Sequence, residues 1–262
     1  MMYEQAFEVD VGAELRAEIG DMDIQIERAS GSVAEIEVWM EAADEVWGRE
    51  LFRRMNFRIT RAGGGLRIES NEARVSGSEW RQHGHTGFLL LVHAPANMDM
   101  VIETRDGDIA IEEARGRLDV ETSDGDVVIG SASGPGIRLR SSDGDIVARA
   151  LEGTMDLSTS DGDVLVDSFR GELRARTSDG DLFVRIDRLE GLDMESGDGD
   201  ITIVADPDLA AEVSFRAEDL YIPEAFTLSG RASSGKITGT MNGGGPRIVA
   251  RTGDGTISLR AP

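Results

Sequence analysis

Residues 122–129 read TSDGDVVI, and nearly the same eight letters return as TSDGDVLV at 159–166 and TSDGDLFV at 177–184. Asp-Gly-Asp occurs six times between residues 106 and 200, centred on Gly107, Gly125, Gly144, Gly162, Gly180 and Gly199, in steps of 18, 19, 18, 18 and 19 residues. A period this regular marks a repeat architecture, in which each unit buries its apolar face against its neighbours. Weaker copies sit at Gly235 (SSGKI) and Gly255 (TGDGTI), and a degenerate one, VSFRAEDLYI at 213–222, lacks the glycine. About nine units are expected between residue 99 and residue 262.

Apolar and polar residues alternate on both sides of each Asp-Gly-Asp. Leu118 and Val120 lead into one, and Val127 and Ile129 lead out; Ile137, Leu139 and Ile146 repeat the pattern one unit on. Period two denotes strands with one buried face. A second corner, at 114–116, 151–153, 169–171 and 189–191, carries a small or apolar residue and a glycine. Such units could form hairpins of an antiparallel meander or coils of a parallel solenoid. The constant length favours the solenoid, because a coil must return to the same place one level higher and a hairpin need not. So does the column of hydroxyls before the bend: Thr104, Thr122, Ser141, Thr159, Thr177, Ser196 and Thr252. The expected fold is all-β, a right-handed parallel β-solenoid with levels ~4.8 Å apart.

Residues 1–98 are less regular and are expected to cap the first coil of a single continuous domain whose solenoid occupies 99–262. AEIGDMDIQIE at 17–27 looks like one more unit, and VAEIEVWM at 33–40 alternates like a strand. DEVWGRELFRRM at 44–55 is the helix candidate, with Asp44 as N-cap and Val46, Phe52 and Met55 on its apolar face. Gly63-Gly64-Gly65 should turn a hairpin, while the polar stretch 71–86 reads as a mobile loop. The last coil, at 256–260, has no evident cap beyond Pro262, so its strand edge is open to pairing with another molecule.

Composition removes several functions. The chain carries 27 basic and 50 acidic residues, a net charge of -23, whereas phosphate backbones and anionic lipid surfaces select Lys and Arg. Nucleic acid is therefore excluded as a partner. The absence of Cys removes disulfides, zinc–thiolate sites and thiol nucleophiles. The longest apolar run, FLLLV at 88–92, is too short to cross a bilayer, so membrane insertion is not expected. The first twenty residues lack a basic segment followed by an apolar one, so the expected compartment is the cytoplasm.

Stacking puts Asp106, Asp124, Asp143, Asp161, Asp179 and Asp198 in one column and Asp108, Asp126, Asp145, Asp163, Asp181 and Asp200 in a second. Such carboxylates could supply calcium with oxygens. Equally, Asp and Gly are what tight turns select, Asp as a local acceptor of backbone N–H groups and Gly for a positive φ. Unit charges one level apart repel by ~0.9 kcal/mol in water, and salt roughly halves this. An aliphatic core gaining about 1.5–3 kcal/mol per large side chain absorbs that repulsion without a metal. Neither an EF-hand loop nor the nonapeptide of calcium-binding β-rolls is present. Calcium is thus permitted and not favoured, and no cofactor, metal ligand or catalytic residue is assigned. Uniform repetition also argues against an active site, which is a local exception to its fold. His83 and His85 in a Gly-rich stretch could bind a transition metal but read first as exposed bystanders, and Trp80 beside them reads as a loop residue or partner contact. The degenerate unit with Tyr221 reads first as a relaxed turn and second as a docking point.

FEVDVGAELRAEIGDMDIQIE at 7–27, followed by FLLLVHAPANMDMVIETRDGDIAI at 88–111 and the later repeats, resembles a bacterial family of β-strand-repeat proteins. These are catalogued as "putative adhesins" under a domain of unknown function of the 4097 type. The resemblance spans essentially the whole chain and implies a parallel β-helix with an adhesin-like role. It carries over no catalytic residues. Relatives vary Ser, Asn and Asp around the bend glycine, whereas this chain repeats Asp on both sides. The expected function is a non-catalytic acidic scaffold or interaction module with a protein partner or self-association. The alternatives are a carbohydrate-binding or carbohydrate-active β-helix and a self-assembling rod.

Overall fold

A computed structural model describes residues 1–262 with every side chain except that of Trp80, which lies outside the described residues. The repeats stack in parallel, not as hairpins. Strands leading into each Asp-Gly-Asp form an inbound layer, in which Leu118 pairs with Ile137, Ile137 with Met155, Met155 with Leu173 and Leu173 with Leu192. Strands leaving it form an outbound layer, in which Val127 pairs with Ile146, Ile146 with Val164 and Val164 with Leu182. Each step in register is one repeat. Four long strands, Val127–Arg140, Ile146–Ser158, Val164–Arg176 and Leu182–Glu195, run through the second corner from the outbound layer of one level to the inbound layer of the next. All 21 strands join in one mixed sheet, which makes the chain all-β and solenoid-like.

Period-two alternation sets the core. Leu118, Val120, Val127 and Ile129 and their counterparts are buried at every level but the terminal one, where Leu220 and Ile222 are half-buried, with like residues stacked on like. The hydroxyl column is buried beside them and ties each bend to the level below. The Thr159 hydroxyl donates to the Gly144 carbonyl at 3.0 Å and accepts from its own bend at Gly162 N, 3.3 Å away. Thr177 repeats the pair with Gly162 O and Gly180 N. A buried polar group is tolerable only when satisfied in this way.

The order of the levels departs from the order of the chain at both ends. The coil at 14–29 lies between the one at 65–95 and the one at 99–114: Leu15 pairs with Leu66 and Met100, and Gln25 with Leu91 and Ala110. At the other end, Arg247–Arg251 lies between Leu182–Glu195 and Ala211–Arg216, and Thr256–Arg260 between Ile201–Val204 and Asp219–Tyr221. The stretch 256–260 is therefore an interior strand, and the open edge expected there does not exist. The degenerate unit is the terminal level. SSGKI is not a coil: Leu228–Ser233 and Lys236–Met241 form an antiparallel hairpin turned at Gly235, and it covers Ala211–Arg216. The first 98 residues supply two stacked parallel levels as well as the strands and helix that cover them.

The N-terminal end is covered by antiparallel strands and a helix. Arg58–Ala62 pairs with Gly65–Glu69 through the expected glycine turn, Val33–Ala42 with Thr86–Pro95, and Tyr3–Glu8 with Val33–Ala42. Helix α1 (Glu45–Arg54) begins at Asp44, whose carboxylate accepts from Val46 N and Trp47 N. Its buried face is Gly48 and Leu51, with Met55 beyond the last turn; Val46 is 80% exposed, against expectation. Phe52 packs on Phe57 and Phe88, closing the core with the chain's main aromatic cluster. Residues 71–86 hold a second helix, α2 (Gly77–His83). No helix among the described residues is long and apolar enough to cross a membrane.

Candidate functional site

The two aspartate columns behave differently. Each aspartate after the glycine accepts from the backbone amide one level on. Asp108 Oδ1 takes Asp126 N at 2.9 Å, Asp126 takes Asp145 N at 2.8 Å, Asp145 takes Asp163 N at 2.8 Å, and Asp163 takes Asp181 N at 2.7 Å. Asp181 takes Asp200 N at 2.8 Å, and the ladder ends at Thr256 N on Asp200, 2.7 Å. The expected local acceptor is thus an inter-level one. Asp106, Asp124, Asp143, Asp161, Asp179 and Asp198 are exposed and form no such ladder. Among the described residues, no three His, Asp or Glu side chains are arranged to hold a metal ion.

The bend glycines also have a different cause from the expected one. None of the six takes a positive φ. A Cβ on Gly125, Gly144, Gly162, Gly180 or Gly199 would lie 2.0–2.2 Å from the carbonyl oxygen of the glycine one level below. Stacked backbones leave no room for a side chain. Positive φ occurs at the second corner instead, at Gly153 (+124°) and Gly171 (+127°).

Of the histidines, His83 is committed to the cap. Its Nδ1 lies 2.8 Å from Asp44 Oδ2, and its ring stacks on Trp47 with centroids 4.5 Å apart. The His83 contact, followed by the helix amides of Trp47 and Val46, holds the Asp44 carboxyl below its ordinary value. Tyr221, 60% exposed, stands at the C-terminal end of the outbound layer.

Where the chain turns the second corner, the outer surface of the inbound layer is concave. The groove holds about 650 Å³ and spans six levels, from Leu118 to Val249. A column of alternating sign runs along it, with Asp119, Arg138, Asp156, Arg174 and Asp193 in register on successive levels. Arg117 and Arg138 both reach Asp119 Oδ2, at 3.2 and 3.4 Å, and Arg174 and Arg251 reach Asp193 at 3.8 and 3.5 Å. The lining holds four arginines (117, 138, 174 and 247) and four acids (119, 156, 172 and 193). The lining is thus balanced in charge on a chain with almost two acids per base. No aromatic ring lines it. The column escapes attention in the linear sequence because its members are 18 or 19 residues apart; placing the units one above another shows it.

The model of the Toastrack DUF4097 family matches residues 98–260. The chain belongs to the Toastrack DUF4097 family. The match begins at the coil that follows the interleaved N-terminal levels and reaches Arg260, the last residue of the interior strand. No curated protein matches the chain. Among solved structures, this Toastrack protein is similar to a "putative adhesin" of Bacteroides fragilis NCTC 9343, with a TM-score of 0.55 and 12% identity over 98% of this chain and 96% of that one. It is also similar to a "putative lipid binding protein" of Parabacteroides distasonis ATCC 8503, with a TM-score of 0.50 and 13% identity over 99% and 96%. At such identities the likeness is one of fold.

Proposed function

We propose that the protein is a non-catalytic, adhesin-like interaction module that takes an extended polar chain along the charge-balanced groove of its inbound layer. The groove carries this reading: a concave strip of alternating arginine and aspartate on a body otherwise strongly negative. Arginine presents a planar fork suited to carboxylates and aspartate accepts from amides and ammonium groups, so a polypeptide strand with its own alternating charges fits the lining. A strand repeats every ~6.6–6.8 Å on one face and the levels every ~4.8 Å, so long flexible arginines take up the mismatch. A glycan is the second candidate, set behind because the groove offers no aromatic ring for a sugar face. The adhesive role in the name of the Bacteroides fragilis relative supports the same class of function. The Asp-Gly-Asp columns belong in this reading to the scaffold, without a bound metal, and the coils are taken as right-handed, the hand that parallel crossovers adopt.

Peptide and glycan arrays probed with the protein and with its R138E/R174E variant test the proposal. The expected result is retention on peptides of mixed charge, weakened at least about tenfold in the variant. Retention on neither array, or retention indifferent to the variant, overturns it. Release of reducing sugar from a bound glycan would replace the module with an enzyme.

A further inference from the structure

The outer side of the outbound layer carries a feature that neither the core nor the groove uses. In register along it stand Ala110, Val128, Val147, Leu165 and Phe183, one per level. The column continues through Thr202 and Ser258 to Tyr221. Their chain neighbours Val127, Ile129, Val164 and Val166 are buried, so alternation turns this set outward. Val128 is 39% and Tyr221 60% exposed, and Val147, Leu165 and Phe183 are half-buried. The result is an apolar stripe five levels long, about 20 Å at the strand spacing, on a chain with 29% charged residues.

The two borders of the stripe differ. Two residues before each apolar position, on the same outer side, stands an aspartate of the inter-level ladder: Asp108, Asp126, Asp145, Asp163 and Asp181. Each spends its Oδ1 on the next level's amide, and the residue itself is exposed at the bend. Two residues after, the charges of Glu112, Arg149, Asp167 and Arg185 cancel.

We propose that this stripe seats a cationic amphipathic helix of a partner protein, its apolar ridge on Val128, Val147, Leu165 and Phe183 and its lysines or arginines toward the aspartates. Charge complementarity selects that occupant. A negatively charged or uncharged partner leaves the aspartate border unanswered, and a second copy brings another body of net charge -23. The dimensions agree, because a helix repeats every ~5.4 Å along its axis against ~4.8 Å between levels. Four turns therefore cover the five apolar levels. Because only one border is acidic, the helix lies with its basic side in one direction.

The probes are fluorescent model helices offered to the full chain and followed by anisotropy: an amphipathic Leu/Lys peptide, its Leu/Glu counterpart and a Lys/Ser peptide without an apolar face. The expected result is micromolar binding of the Leu/Lys peptide, weakening as salt rises, with no binding of Leu/Glu. L165T/F183T should weaken it at least about tenfold. D145N/D163N/D181N, which keeps the carbonyl acceptors of the ladder, should weaken it similarly and flatten the salt dependence. This second variant tests the proposal even if the first does not fold. Equal binding of the Lys/Ser peptide overturns the proposal, as does indifference to the Asn variant. A dimer seen in sedimentation that strengthens with salt and is lost in L165T/F183T overturns it in favour of a second copy.

Discussion

Replacing Gly162 tests why the bends need glycine. A Cβ there falls 2.2 Å from Gly144 O, 2.5 Å from Gly144 C and 3.0 Å from Asp145 N, all backbone of the level below. Restoring ordinary contact requires the two bends to separate by roughly 1 Å. Four of the bonds that cross this gap are Ser160 N to Ser142 O at 2.8 Å, Asp161 N to Ser142 O at 3.0 Å, Thr159 Oγ1 to Gly144 O at 3.0 Å and Asp163 N to Asp145 Oδ1 at 2.8 Å. Lengthened by ~1 Å they cease to be hydrogen bonds, at a net of about 1 kcal/mol each. Gly162→Ala should therefore destabilise the protein by about 4 kcal/mol, read from the urea midpoint at constant slope. Asn separates close approach from left-handed backbone, since Asn tolerates positive φ. At Gly63, where φ is +57° and nothing lies within 4 Å of a Cβ, Gly63→Asn should cost less than about 1 kcal/mol. At Gly162, Asn should be at least as harmful as Ala. A Gly162→Ala protein within about 1 kcal/mol of the parent, or one rescued by Asn, refutes the stacking argument.

The two aspartate columns should separate in the same assay. Asp161→Ala and Asp163→Ala relieve similar repulsion between levels, but only the second removes the acceptor of Asp181 N; it should be the less stable by about 1 kcal/mol, and both should melt alike with millimolar calcium or chelator. The Asp44–His83 contact gives a pH signature. Because the folded carboxyl of Asp44 is held below its ordinary value, its contribution is present above the unfolded pKa of about 3.9 and is lost as pH falls through the lower folded value. The difference in urea midpoint between the parent and Asp44→Ala should be full at pH 6 and shrink toward pH 2–3; a constant difference would mean that the carboxylate's charge plays no part.

Much of the architecture was legible because the solenoid writes its period into the chain. The spacing of Gly107 to Gly199 gives parallel stacking, the column from Thr104 to Thr252 its buried hydroxyl ladder, and Asp44 the start of α1. The interleaving of levels was not legible, because 14–29 and 247–260 carry the same alternation as every other coil and fit several neighbours equally well. Ser234-Gly235 resembles a worn bend, yet it closes a hairpin, since Gly235 at φ +66° suits a two-residue turn. The helix in 71–86 had a signal that polarity masked: Ser76 and Glu79 form a capping box, with Ser76 N donating to Glu79 at 2.8 Å and Glu79 N to the Ser76 hydroxyl at 3.4 Å. Val46 was misplaced because Gly48 contributes its backbone to the helix contact and a pattern of apolar side chains does not register it. The balanced groove depends on residues a full coil apart, which no local window brings together.

The interior position of residues 247–260 bears on how the molecule is assembled. The level at 211–221 is synthesised before the strands on which it rests. One of its edges pairs with the hairpin strand Lys236–Met241, but the other must wait until residues 247–260 slide in beneath it. Such late, long-distance closure slows folding, and a chain stopped at residue 246 would lack a middle plank and not merely a tail. A synthetic peptide of 247–262 added to that shortened chain should restore its native fluorescence, much as a donated strand completes an unfinished sheet.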